Sequence, residues 1–349
     1  MMWKALSADI ASGFFSAWSF DLRKEWFIWK MISLSSEVYK KWLRHIKLKI
    51  AFLFKTKFLQ WYDIVIFSWD SISWVRNCHP DSLKVYYCHT PPRYIYDLHD
   101  LYKNKLWCFQ RIFFIIWCKI FQFFYERDIK KMDLILTNSK NTQWRIKKYL
   151  WIESVVLYPP VDTWKFQYID DKNYFLSFAR LAQAKRVDSI VEAFKCKTEE
   201  KLIVIYWKND PQKNQILNLA RWYNNIVCVS LEDNNELYDY IWNARATIYI
   251  PMEEDFGMSS IESMSAWKPV LGVNEWGLKE TIIHTKTWYL LERDFKIQDI
   301  ISAIWYFTSQ RCKKMKKHCE IQANNFALKN FNSLIKEIIM KAYNNKKHI

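Results

Sequence analysis

Glycine is almost missing from this chain, with 4 residues in 349. That leaves few positions at which a turn can take positive φ without cost. Cysteine pairs of the C-x2-C kind are absent, although the chain has 8 cysteines. The nearest pair is Cys312 and Cys319, beside His318, and no second ligand pair follows. This spacing argues against a zinc site, and free thiols suit a reducing compartment. No long apolar run is present. The most apolar segment, Ile112 to Cys118, is short and lies between Arg111 and Lys119, so neither a signal peptide nor a spanning segment is recognisable. No internal repeat stands out.

Positive charge is plentiful. Lys and Arg number 52 against 36 acidic residues, a net charge of +16. Such a balance favours an anionic partner: nucleic acid, anionic lipid or a phosphorylated substrate. No nucleic-acid-binding motif accompanies it, so none is expected as partner. The stretch Leu106 to Lys131 reads as a long, aromatic, basic helix, which fits either a cover over a sheet or an anionic membrane surface.

A chain of this length suggests two domains. Apolar strands are expected at Tyr62 to Ser68, Leu83 to His89 and Leu134 to Ser139, with a helix on to Leu150. Tyr158-Pro159-Pro160-Val161-Asp162 reads as a linker. Beyond it, strands Tyr174 to Phe178, Leu202 to Tyr206, Ile226 to Ser230, Thr247 to Pro251 and Pro269 to Val273 alternate with helices. The helices read at Val187 to Lys195, Pro211 to Tyr223, Asn235 to Ala244 and Ser259 to Ala266. This rhythm predicts a parallel sheet covered on both faces.

The chemistry concentrates between Ile250 and Glu280. A strand runs into the acidic loop Glu253-Glu254-Asp255-Phe256-Gly257, then into a short helix carrying Glu262, then into a second strand. Ligands of such sheets bind beyond the carboxyl ends of the strands. Free amides near Gly257, Met258 and Ser259 would suit a phosphate.

This stretch resembles the retaining GT-B glycosyltransferases of family four, through EDFG-x4-E, the KPV strand and the turn that follows. The segment Arg180-Leu181 through Lys185 and Asp188 resembles the family's R-L-x3-K-x2-D, and His89-Thr90-Pro91-Pro92-Arg93-Tyr94 its HTP-x-RY. The likeness covers nearly the whole chain from Ala8 and is thinnest before Tyr62. It implies an α/β fold of two Rossmann-like doubly wound domains with the donor cleft between them. The expected domains are 1–160, on the acceptor side, and 161–325, which binds the nucleotide sugar, with 326–349 a helix crossing back. It further implies transfer of a hexose, mannose first, from GDP- or UDP-sugar to a glycan or lipid-linked acceptor with retention. His89 and Glu254 would be catalytic, with Glu254 on the donor hexose hydroxyls. Arg180, Lys185, Phe256, Gly257, Met258, Ser259, Glu262, Asn274, Gly277 and Leu278 would bind donor, with Glu262 on the ribose. No carboxylate nucleophile stands out, so a front-face substitution is expected. Neither cofactor nor metal is implied. The expected setting is the cytoplasm, peripheral on the inner face of the cell membrane. The rival expectations are an inactive scaffold of the same fold and, further off, a basic nucleic-acid-binding protein.

The departures from the family are systematic. Trp267 stands where a helix-ending glycine belongs, and Trp276-Gly277 replaces a glycine pair. Trp207 and Trp288 also border turns. The 4 glycines and 20 tryptophans together match the roughly 24 glycines that ordinary usage of about 7% predicts. The expectation is that most of these tryptophans are glycines in the living protein, through a UGA codon that its source reads as glycine. The family's first strand and glycine-rich loop have no counterpart. This points to an upstream start by roughly 20 residues, the length of a strand and most of a helix.

Overall fold

The computed structural model describes residues 2–13, 29–34, 47, 50–51, 54–231 and 233–348. It divides into two compact units, Met1–Tyr158 with Phe331–Ile349, and Pro159–Asn330.

The first unit begins with α1 (Met2–Leu6), β1 (Ile10–Ser12) and β2 (Met31–Ser33). β1 and β2 pair in parallel, Ile10 opposite Met31. The run Ala8 to Phe15 reads as a strand by sequence, and β1 is three residues long as far as it is described, since 14–15 lie outside the described residues. The basic and aromatic stretch Glu37 to Leu59 has helical spacing, and most of it lies outside the described residues too. There follow β3 (Ile64–Ser68), β4 (Leu83–Cys88), α2 (His99–Asn104), α3 (Cys108–Ile129), β5 (Leu134–Thr137), α4 (Lys140–Leu150) and β6 (Val155–Val156). The sheet order is β3-β4-β5-β6, all parallel.

Side chains alternate across this sheet. Phe67, Tyr86 and Ile135 face Tyr125, Ile129 and Ile146 of the helices. Leu83, Val85, Tyr87 and Leu136 face Phe331, Ile335 and Ile339 of the final helix, Leu328–Lys347. Each buried aliphatic or aromatic side chain contributes about 1.5–3 kcal/mol relative to exposure, so the final helix is held by its apolar face.

The second unit alternates strand and helix: β7 (Tyr174–Ser177), α5 (Val187–Lys195), β8 (Lys201–Tyr206), α6 (Lys213–Ala220), β9 (Ile226–Ser230), α7 (Asn234–Asn243), β10 (Ala246–Ile248), α8 (Met258–Ser265), β11 (Val270–Val273), α9 (Leu278–Thr281), β12 (Trp288–Leu291), α10 (Ile297–Tyr306) and α11 (Ser309–Asn325), before α12 (Leu328–Lys347). The sheet is parallel throughout, in the order β12-β11-β10-β7-β8-β9. The direction of winding reverses between β7 and β10, and sheets of this kind take ligands in the crevice beyond the strand ends at such a point.

Two expected elements come out shorter. The strand over Thr247 to Pro251 leaves the ladder after Ile248, although Tyr249 still donates to the Leu271 carbonyl at 2.8 Å. The helix over Pro211 to Tyr223 is reduced to Lys213–Ala220. Asp210 accepts from the Trp207 amide at 3.0 Å and holds the preceding residues in a turn.

Among the described residues four tryptophans have positive φ: Trp69 at 56°, Trp151 at 59°, Trp267 at 60° and Trp276 at 41°. Trp267 is the clearest. Its amide donates to Met264 O at 2.9 Å, and that of Lys268 to Ser263 O at 3.0 Å. This is a Schellman ending with tryptophan in the left-handed place that glycine usually fills. Trp207 and Trp288 border turns as expected, but neither has positive φ. Trp288 is buried in β12 and stacks on Phe307 at 4.2 Å.

Candidate active site

The second unit gathers most of the expected donor residues at its crevice. β7 ends at Ser177, and the chain then carries Arg180 and Lys185 over the strand end. β10 ends just before Tyr249, and the acidic loop brings Glu254 to meet them. The Lys185 ammonium is ion-paired with Glu254 Oε2 and lies 3.0 Å from the Tyr249 hydroxyl. Tyr249 donates to the same carboxylate oxygen at 2.8 Å.

Glu262 approaches from α8. Burial first, then Glu254, Glu262 and Asp255, raise the Tyr249 phenol well above its ordinary pKa. Both glutamates of the E-x7-E spacing thus add to the field at one buried phenol, Glu254 in direct contact with it. Burial pushes Glu262 itself up to about 7. Arg180 is more loosely placed, its Nε 3.6 Å from Asp210 and its side chain 65% exposed. An exposed guanidinium at a strand end is free to swing onto an anion.

Backbone supplies the rest. Gly257 has φ 90° and opens α8, whose N-terminus carries no side-chain cap. The amides of Met258 and Ser259 therefore begin a helix at the crevice. Phe256 and Leu278 are buried, with Phe256 edge-on to Phe326 at 5.6 Å. Their side chains anchor loops, and only their backbone is offered to a ligand. Asn274 follows β11 and donates its amide to Leu291 O at 2.6 Å. Gly277 donates to Glu254 O at 3.1 Å, and a β-carbon at 277 would overlap the Asp255 carbonyl.

Sequence reasoning missed the residues that brace this loop. Glu275 is buried and accepts from the Glu253 amide at 3.2 Å. It pairs with Arg293 at 2.9 Å and Arg186 at 3.7 Å. Arg186 also donates to Ile250 O at 2.7 Å and Pro251 O at 2.8 Å. Tyr249 was read only as part of an apolar run. A lone tyrosine at the end of a buried strand was the available signal.

His89 lies in the first unit, just past β4. Its Nε2 shares a hydrogen bond with Ser68 Oγ at 3.0 Å. Trp69 stacks on the ring at 4.5 Å, and Tyr87 meets it edge-on at 4.9 Å. Burial lowers its pKa to about 4, so the imidazole is neutral near pH 7. The loop after it is pinned from α4: buried Arg145 bonds Thr90 Oγ1 at 3.3 Å and lies 3.6 Å from Asp97. Arg93 is bound to Asp97 at 2.8 Å. Among the described residues no group of three or more His, Cys, Asp or Glu could hold a metal ion.

Residues 161–326 match the family described as Glycosyl transferases group 1. The second unit carries a group 1 glycosyl transferase domain. Around this domain the chain is 24% identical to the alpha-1,3/1,6-mannosyltransferase ALG2 of Dictyostelium discoideum, over 66% of this chain and 64% of the relative. It is 25% identical to the ALG2 of Candida glabrata, over 43% and 44%. The chain thus spans less than two thirds of the length of these relatives. Among solved structures, sucrose-phosphate synthase from Thermosynechococcus elongatus superimposes with a TM-score of 0.79 at 14% identity, covering 99% of this chain and 92% of that one. Anabaena HepE, in complex with UDP and glucose, gives 0.72 at 12% identity over 97% and 94%. The fold around the group 1 glycosyl transferase domain is GT-B, two Rossmann-like units with parallel sheets.

Proposed function

We propose that this chain is a retaining glycosyltransferase that moves a hexose, mannose first, from a nucleoside diphosphate sugar to a glycan or lipid-linked acceptor. The observation that carries the reading is the Lys185–Glu254–Tyr249 cluster at the switch point. The group 1 domain and the mannosyltransferase relatives support it.

In this reading the departing diphosphate gathers negative charge in the transition state. Arg180, Lys185 and the amides of Met258 and Ser259 stabilise that charge. Glu254 accepts hydroxyls of the donor hexose, and Glu262 those of the ribose. Neutral His89 contacts the sugar or acceptor as a hydrogen-bonding group whose ring Ser68 helps hold in place. The leaving phosphate takes the acceptor proton on the same face.

The reading includes glycine in the living protein at Trp69, Trp151, Trp267 and Trp276, where φ is positive. An L side chain pays about 1–3 kcal/mol in that region. At Trp207 and Trp288, which lack positive φ, the support for glycine is their place at turns and the combined count of glycine and tryptophan.

Donor screening with GDP-mannose and UDP-glucose tests the proposal, on the sequence as written and with glycine at those four positions. Nucleotide release that Glu262→Ala abolishes is the expected result. A second reading, an inactive scaffold, is favoured by one feature: Trp276 stands in the donor loop beside Gly277. Donor binding without turnover in both versions would select it.

A further inference from the structure

The helix α3 has two apolar faces, and only one of them is covered. Toward the unit it buries Cys118, Tyr125, Asp128 and Ile129. Away from it, Phe109, Phe113, Ile116, Ile120 and Phe123 are all exposed, Phe109 by 89% and Phe113 by 70%. Their spacing of three or four residues puts them on one line along the helix. Soluble monomers rarely leave so long an apolar stripe open to water.

The charge around the stripe is one-sided. Lys105 and Lys119 are exposed beside it, and Lys130 and Lys131 are exposed just past its C-terminal end, Lys131 3.9 Å from Asp128. The acidic side chains of α3 are spoken for within the unit. Glu126 accepts from Tyr96 and Gln122 at 3.2 and 2.8 Å, and buried Asp128 accepts from Arg127 at 2.8 Å. An apolar line rimmed by cations complements an anionic lipid surface. Two copies docked through the same stripe would set these cations against each other.

The helix is also long enough to cross a bilayer, the one such helix among the described residues. Its other face forbids that. Tyr125 and Ile129 belong to the core of the first unit, with Phe67, Tyr86 and Ile146. A spanning helix would have to pull them out and carry Asp128 and Lys119 into hydrocarbon.

The geometry points to α3 as an in-plane membrane foot, with its phenylalanine and isoleucine stripe below the headgroups and its lysines among anionic lipids. The inference is independent of the donor chemistry. It also does not use Trp107 or Trp117.

Vesicle sedimentation tests it. The full chain should pellet with phosphatidylcholine vesicles containing about 30% phosphatidylglycerol and release as salt rises. Phe109→Ser, Phe113→Ser and Phe123→Ser combined should lower partition at least about a hundredfold. Lys105→Gln and Lys119→Gln should each lower it about fivefold on anionic vesicles only. If the triple variant misfolds, amide exchange of the parent decides. Residues 108–124 should gain protection with anionic vesicles, and no gain overturns the inference. Absence of vesicle binding overturns it, as does undiminished binding by a folded triple variant. A parent dimer that the triple variant dissolves, without lipid binding, would assign the stripe to a second copy instead.

Discussion

Lys185 and Glu254 are ion-paired across 69 residues of sequence, each holding the other at the crevice of the second sheet. In the proposed reading, a donor diphosphate entering that crevice would compete with Glu254 for the ammonium, and donor hydroxyls would compete with the ammonium for Glu254. Both side chains are only about a quarter exposed, so the exchange takes place in a partly dry site where charge interactions are strong.

Lys185→Ala is predicted to lower kcat/KM by about 100- to 1000-fold, the usual loss when one transition-state donor is removed. The thermal midpoint should barely move, because the pair is not in the core. Steady-state kinetics and a melt on the same preparation check both halves. A large loss of stability would make the pair a structural brace.

Glu262 gives a pH signature. Its folded pKa, about 7, lies above the ordinary carboxyl value of 4.5. Between those values the folded chain binds more protons than the unfolded chain, so this group's effect on stability is lost as pH rises through about 7. Donor binding through the ribose needs the carboxylate, so donor KM should fall as pH rises through the same point. Glu262→Gln should remove this step from the profile, and a step that survives in the variant would belong to another group.

Trp151 offers the simplest test of backbone strain. It ends α4 in the left-handed region, and its side chain is 87% exposed. Trp151→Gly is expected to stabilise the chain by about 1 kcal/mol, and Trp151→Ala by almost nothing, because alanine keeps the β-carbon. For a domain of this size that is about 2–4 °C in Tm. Equal melts for all three would remove the strain argument at this site.

Peptide masses from the native source address the codon directly. Residues 69, 151, 267 and 276 are predicted to carry glycine masses. Tryptophan masses would place a bulky side chain in the donor loop and favour the inactive scaffold.

The second sheet was readable because a parallel sheet covered on both faces writes its strands as unbroken apolar runs, such as Leu202 to Ile205. Glu254, Glu262 and Lys185 were singled out through resemblance to the family's motifs, since their spacing alone says little. The bracing set of Arg186, Glu275 and Arg293 was not, because its members approach from three separate segments. Trp69 and Trp151 sit in no motif, and their backbone angles appear only once the chain is folded. Trp288 begins its strand as expected, and its backbone belongs to the ladder with no positive φ to mark it.

The acidic loop and the turn at Gly277 are zipped together. Gly277 reaches Glu254, Glu275 reaches Glu253, and no room for a β-carbon separates 277 from Asp255. Neither segment can open alone. Residues 253–257 and 275–278 therefore form one cooperative opening unit. Any ligand that quiets one segment should slow amide exchange in both, so the protein would register donor occupancy as a single all-or-none event spread over two distant stretches of its sequence.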